Sequence, residues 1–202
     1  MQTEIGESKS DKEITASFLN KYKSKNLPED ALAEVVYTVR KGVSKDDFIP
    51  SSDSEWPLME YTKDGKTMYF SRNNFKDDIE LKGKNGMTNM KIYRAILVDS
   101  LWTNIEDLSI NGDNFSTQHA ALNTDDSKLY FTSDRPGTHG GSDIWTVDIT
   151  ADGTLNNIQN LGDIINTESA EGFPFINNEG VLFFSSDGHT GLGLLDIFAT
   201  IK

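Results

Sequence analysis

Cysteine is absent from all 202 residues, which excludes disulfides and thiolate-ligated metal centres. Basic residues are the scarcer charged class, 19 against 32 acidic, and the net charge of −13 repels phosphate backbones and anionic lipid. No nucleic-acid partner is therefore expected; a basic protein surface or a divalent cation suits this charge better. Long apolar runs are also missing, and none approaches the ~18 residues of a membrane helix. The opening stretch MQTEIGESKSDKE has neither a basic n-region nor an apolar h-region, so it does not read as a signal peptide. What is present, 36% hydrophobic and 25% charged residues, lies in the globular range, with aromatics grouped in short runs such as Met68-Tyr69-Phe70 and Phe183-Phe184.

Three segments align without gaps: KDGKTMYFSRN from Lys63, TDDSKLYFTSD from Thr124 and NNEGVLFFSSD from Asn177. The second and third copies keep a spacing of 53 residues, which equates Asp134 with Asp187, Gly140 with Gly193 and Asp143-Ile144-Trp145 with Asp196-Ile197-Phe198. In the first copy Lys91-Ile92-Tyr93 stands in place of that trio, after the longer insertion FKDDIELKGKNGMTNM. The lead-in repeats as well: INTESAEGFP from Ile165 resembles IPSSDSEWP from Ile49, and INGDNFSTQHA from Ile110 is a looser version.

Within a unit, QHAALNTD, KLYFTSD, SDIWTVDIT and TLNNIQNLG read as strands separated by Asp-, Gly- and Pro-rich turns. Four short antiparallel strands in roughly 50 residues form a propeller blade that must stack on its neighbours. The expected fold is therefore mainly β: about three four-stranded blades of a β-propeller over residues 43–202, divided near 50–110, 111–163 and 164–202. Three blades fall short of the 4–8 of a closed ring, so a longer propeller or an oligomer-completed ring is expected, with self-association through open blade edges. Residues 1–9 are expected to be disordered. Residues 10–42 read as helical, with a capping box at Ser10–Glu13 and Leu32, Val35, Val36 and Val39 at helical spacing.

A turn that recurs once per unit is more economically structural than catalytic. The glycines at 137, 140 and 141 are expected to take φ > 0, and Asp134 and Asp143 to accept backbone N–H bonds at the turn ends.

The stretches YFTSDRPGTHGGSDIW, NLGDIINTESAEGFPF and FFSSDGHTGLGLLDIF resemble the TolB-type, WD40-like propeller repeat, above all that of OmpA-family, peptidoglycan-associated envelope proteins. The resemblance covers roughly residues 43–202. It implies a non-catalytic, protein-binding scaffold of a bacterial envelope complex, at the periplasm or outer-membrane periphery, with an envelope protein as partner. It also implies turn roles for Asp134, Arg135, Gly140, Gly141, Asp143, Asp187, Gly193 and Asp196, and no catalytic role.

Other chemistry is weakly encoded. Gly140-Gly141-Ser142-Asp143-Ile144 lacks the last glycine of a hydrolase elbow. GTHGGS has no following helix or lysine for phosphate. His119, His139 and His189 have no zinc spacing, though His139 and His189 lie in turns of one type and are candidates for a surface site. Trp56 and Trp102 lack evident repeat counterparts and are candidate surface contacts as well. NTDD, KDD and INGDN offer oxygen ligands without an EF-hand pattern, so a structural calcium stays open while no cofactor is expected. The alternative function is a carbohydrate-binding or glycoside-hydrolysing propeller, with Glu55, Glu60 and Glu171 as channel carboxylates.

Overall fold

The computed structural model describes residues 59–76, 79–84 and 86–200. Among them every regular element is a strand, and no helix occurs. The expected disordered residues 1–9 and helical segment 10–42 lie outside the described residues, as do Glu55 and Trp56.

The first sheet comprises β1 (Met59–Tyr61), β2 (Thr67–Asn73), β5 (Met90–Val98) and β6 (Leu101–Asp107), in that spatial order. The insertion between β2 and β5 carries its own hairpin, β3 (Phe75–Lys76) with β4 (Ile79–Glu80). The second sheet is a meander of β7 (Thr117–Leu122), β8 (Lys128–Ser133), β9 (Asp143–Ile149) and β10 (Leu155–Asn160). The third holds β11 (Glu171–Ile176), β12 (Leu182–Ser186) and β13 (Asp196–Ala199). All pairings are antiparallel. The expected four-strand unit thus appears in the first two sheets, and the third shows three strands among the described residues.

These strands form where β-branched and aromatic residues alternate with polar ones, which gives each sheet two distinct faces. In the second sheet Leu129, Phe131, Trp145 and Val147 point one way, onto Tyr69 and Ile92 of the first sheet and onto Leu108 and Ile110. Its opposite face offers Ile144 and Tyr130 to Leu182, Phe184 and Phe198 of the third sheet. Each large side chain buried in these seams contributes about 1.5–3 kcal/mol. β7 packs against β1, β2 and β5, and β11 against β7, β8 and β9, so each first strand seats its sheet on the one before.

The tight turns obey their own chemistry. Gly65, Asp126 and Gly180 adopt left-handed backbone in the three β1–β2-type turns, with φ of 67°, 60° and 78°. Asp64 Oδ1 accepts the Lys66 amide at 3.0 Å in the first, and Asp125 Oδ1 the Ser127 amide at 3.2 Å in the second. The Lys63 amide donates to Asp126 Oδ2 at 2.7 Å, which ties two such turns together across the first seam.

Candidate functional site

The repeated polar residues converge where each second strand hands over to the third. Asp134 follows β8, and its Oδ1 accepts the amide of Ser116, one residue before β7, at 2.6 Å. Asp187 follows β12 and accepts the amide of Ala170, one residue before β11, at 2.8 Å. The same carboxylate therefore closes the same corner twice, tying the exit of a second strand to the entry of the first.

Asp143 opens β9 fully buried, and its Oδ2 accepts the His139 amide at 2.9 Å and the Asn160 side-chain amide at 2.6 Å. Asp196 opens β13 and accepts the amides of Leu192 at 2.6 Å and Gly193 at 3.1 Å. Leu192 stands 53 residues after His139, so this turn-closing bond is also repeated. In the first sheet Lys91 replaces the aspartate, and the corner inverts its polarity. Lys91 Nζ lies 3.0 Å from both Asp107 and Asp113, and Asp107 occupies the place of Asn160. Burial disfavours the charge on Lys91, but the two carboxylates outweigh it and its pKa is raised.

Two asparagines missing from the sequence-based candidates complete these corners. The Asn166 side chain accepts from the Ile144 amide at 2.8 Å and donates to the Ile144 carbonyl at 3.0 Å. Asn111 makes the same pair of bonds to Ile92, at 3.0 and 2.6 Å. Each side-chain amide thereby mimics a neighbouring strand for one residue. A signal existed, since both follow the isoleucine that opens the repeated lead-in, Ile110 and Ile165.

Arg135 is buried rather than displayed on the turn. Its guanidinium donates to the Ile110 carbonyl at 2.8 Å, Thr117 Oγ1 at 3.2 Å and Ser133 Oγ at 3.1 Å. It also faces the rings of Phe131, Phe115 and Trp145, with centroids 4.8, 5.0 and 5.2 Å away. Burial lowers its pKa to about 10, against the opposing influence of Asp134. Glu171 fills the matching corner of the third sheet with the opposite charge. It accepts the Thr167 amide at 2.8 Å and the hydroxyls of Thr167 and Ser186 at 2.7 and 2.5 Å.

The glycines meet expectation only in part. Gly137 and Gly193 have φ of 96° and 130°, but Gly140 and Gly141 do not take the left-handed region. Their missing side chains answer crowding instead. A Cβ at Gly140 would collide with the backbone of Glu168 and Ser169, and one at Gly141 would lie 3.3 Å from the Ser169 carbonyl oxygen. The Gly141 amide donates to that same oxygen at 2.5 Å, the Glu171 amide donates to the Ser142 carbonyl at 2.7 Å, and Ser142 Oγ donates to the Glu171 carbonyl at 2.9 Å. This turn grips the following sheet through its backbone.

The surface candidates fare unevenly. Trp102 is a correction: it is only 8% exposed, packs on Tyr61 at 5.7 Å and matches Leu155 of β10 in position, so it belongs to the interior. The His189 ring is half-buried, with Nε2 2.8 Å from the Ile165 carbonyl and the ring against Phe184 and Phe198. The His139 side chain is 46% exposed and bonded to Asp143 at 3.1 Å. The two histidines thus serve separate corners. Among the described residues no group of three His, Asp or Glu is placed to hold a metal. Glu60 lies half-buried on β1 opposite Tyr69, and Glu171 is occupied in its corner.

His119 and Phe173 were not marked as a pair by the sequence. Both sit at bulges in first strands with positive φ, 56° and 54°, and their rings stack at 3.9 Å. Burial lowers the His119 pKa to about 4.

No protein-family model matches the chain, and no curated protein does. Among solved structures it is similar to a Mycobacterium tuberculosis puromycin-hydrolyzing peptidase, with 13% identity and a TM-score of 0.43, over 72% of this chain and 20% of that one. The chain spans about a fifth of that protein's length.

Proposed function

We propose that this chain is a TolB-type, WD40-like β-propeller segment acting as a non-catalytic protein-binding scaffold of a bacterial envelope complex, at the periplasm or outer-membrane periphery. One observation carries the reading: the recurrent polar residues bond to backbone and to one another at repeat-equivalent corners. Asp134 and Asp187 close one corner, Asp143 and Asp196 a second, Asn111 and Asn166 a third. Three successive sheets seated on one another through their first strands support the propeller architecture. Glu171 supports it from the other side, since its carboxylate is buried and bonded to Thr167 and Ser186. Binding then falls to the exposed turns, and the net charge of −13 favours a partner with a basic surface.

The test is retention of solubilised envelope proteins on the immobilised chain at low and high salt, beside assays with aryl glycosides and short peptides. A partner retained at low salt and released at high salt is expected, with no turnover. Hydrolysis that disappears in Glu171→Gln would overturn the reading.

A further inference from the structure

We propose that the outward face of the third sheet is the contact surface of a two-fold dimer with a second copy of this chain, an inference that goes beyond the scaffold reading and does not depend on it.

Alternation along β11, β12 and β13 sends Leu182, Phe184 and Phe198 toward the second sheet and leaves Phe175, Phe183, Ser185, Ile197 and Ala199 on the other side. Phe175 is 53% exposed and Ile197 78%. The register places Phe183 beside Phe175 and Ala199, and Ser185 beside Ile197, so these residues form one contiguous patch. The corresponding residues of the second sheet include Ile144 and Thr132, which are 0% and 1% exposed because the third sheet covers them. The outward face is therefore built as an interior.

The turn beside it says that a further sheet does not seat there as the third seats on the second. A further sheet of this repeat, seated as the third sits on the second, would need the Gly140-Gly141-Ser142 grip. The third sheet has Gly193-Leu194-Leu195 there, with Leu194 and Leu195 90% and 55% exposed. A leucine in place of Gly141 occupies the space that the neighbour's carbonyl takes in the second sheet, and a leucine in place of Ser142 loses the hydroxyl bond.

Among the described residues the other apolar sheet faces are closed to a second copy. Its inner faces are filled: Met68, Phe70 and Ala95 in the first sheet, and Leu129, Phe131 and Val147 in the second, are at most 2% exposed. The open apolar sheet face among the described residues is this one, so the contact is isologous. Charge points the same way. The patch carries no Lys, Arg, Asp or Glu, whereas each copy bears −13 overall and repels another across most of its surface. With Phe173, Leu192, Leu194 and Leu195 at its border, and on the order of 200 Å² per large side chain, roughly 800 Å² of apolar surface is open per copy. That exceeds the usual largest patch of a monomer and matches one side of a standard interface.

The experiment is light scattering across a concentration range on the wild-type chain, Ile197→Glu, and Ile158→Glu as a control at an exposed site on β10. A dimer is expected for wild type and the control, with association weakened at least 100-fold in Ile197→Glu, where two carboxylates would meet across the axis. Because the chain has no cysteine, Phe175→Cys, Ser185→Cys and Ile197→Cys, made singly and oxidised, give a second reading that does not rest on the glutamate variant folding. At least one is expected to cross-link into a dimer. A wild-type monomer at every concentration overturns the proposal, and so does a dimer that survives Ile197→Glu with none of the three cysteines cross-linking. A monomer that still retains envelope proteins would remove the dimer and leave the scaffold reading standing.

Discussion

In the second sheet Gly140, Gly141 and Ser142 lie under the backbone of residues 168–171, whereas in the third the same three positions are Gly193, Leu194 and Leu195 and face outward. The first sheet solves the position in a third way. There Asn89 Nδ2 donates to the Asp113 carbonyl at 2.8 Å, and the Met90 amide donates to Ser116 Oγ at 3.2 Å, so side chains do what backbone does one repeat later. One turn position thus makes a seam from amides, a seam from bare backbone, or an open apolar rim. A shared repeat dictates where sheets meet; the residues at two or three positions decide how tightly, and with what.

The sharpest way to break this comparison is at Lys91, where the first sheet inverts the charge that Asp143 places in the second. Lys91→Asp would bring three carboxylates together at a corner where residue 91 is only 7% exposed. A loss of about 4 kcal/mol in urea unfolding is expected. Adding Asp107→Asn recreates the Asp143–Asn160 pairing of the second sheet and should recover at least half of that loss. No recovery would mean that the two corners are not interchangeable.

The seam itself comes next. Gly140→Ala drives a methyl into the Glu168 and Ser169 backbone and is expected to cost about 3 kcal/mol. Leu194→Gly, at the open counterpart of the adjoining Gly141, relieves a φ of 56° and removes no hydrogen bond of that side chain, so the monomer should unfold within a few tenths of a kcal/mol of wild type. Thermal melts of the two variants, side by side, check whether the third sheet lacks the grip of the second.

A finer contrast lies in the paired asparagines. Asn166 is 1% exposed and Asn111 only half-buried, although both bridge the backbone of an isoleucine. Asn166→Ala should lose about 2 kcal/mol and Asn111→Ala about 1, because water reaches the orphaned amide of Ile92 more readily than that of Ile144. Equal losses would show that burial does not separate the two corners.

How far all this was legible depends on which physics each residue answers. KLYFTSD and SDIWTVDIT became β8 and β9 because period-two alternation and bounding turn residues are local signals. The turn aspartates were readable for the same reason: a carboxylate that accepts a nearby amide acts within a few residues of itself. Trp102 was not, since nothing local says which side of β6 faces inward; its match with Leu155 emerges once the strand register is known. Nor could glycine at 140 and 141 be assigned to close approach rather than to left-handed backbone, because the crowding atoms lie 28 or 29 positions further along the chain. The Arg135 cage was hidden by similar distances to Thr117 and Ile110, and the Glu171 corner by its bond to Ser186 on the next strand. Equivalent corners carry opposite charges there, and a search for recurring residue types passes over them.

The smallest effect tests the bulge that the second and third sheets share. His119 stacks on Phe173 across the seam, with Nδ1 3.3 Å from Thr132 Oγ1 and its backbone amide bonded to Ser71 Oγ at 3.1 Å. Its pKa is about 4 in the folded chain, because burial disfavours the imidazolium, against an ordinary value of 6.5. Above pH 6.5 neither state binds the proton and the shift costs nothing. As pH falls below 6.5 the unfolded chain takes up a proton that the folded chain refuses, so stability declines until the folded imidazole itself titrates near pH 4. At pH 5.5 the loss due to this residue should be about 1 kcal/mol. His119→Asn, an exchange that tolerates the φ of 56°, should flatten that part of the profile while lowering stability at pH 7.5 through the lost stack. Urea midpoints at the two pH values for both proteins decide it: an unchanged slope in the variant would place the acid sensitivity elsewhere and reduce the His119–Phe173 contact to packing alone.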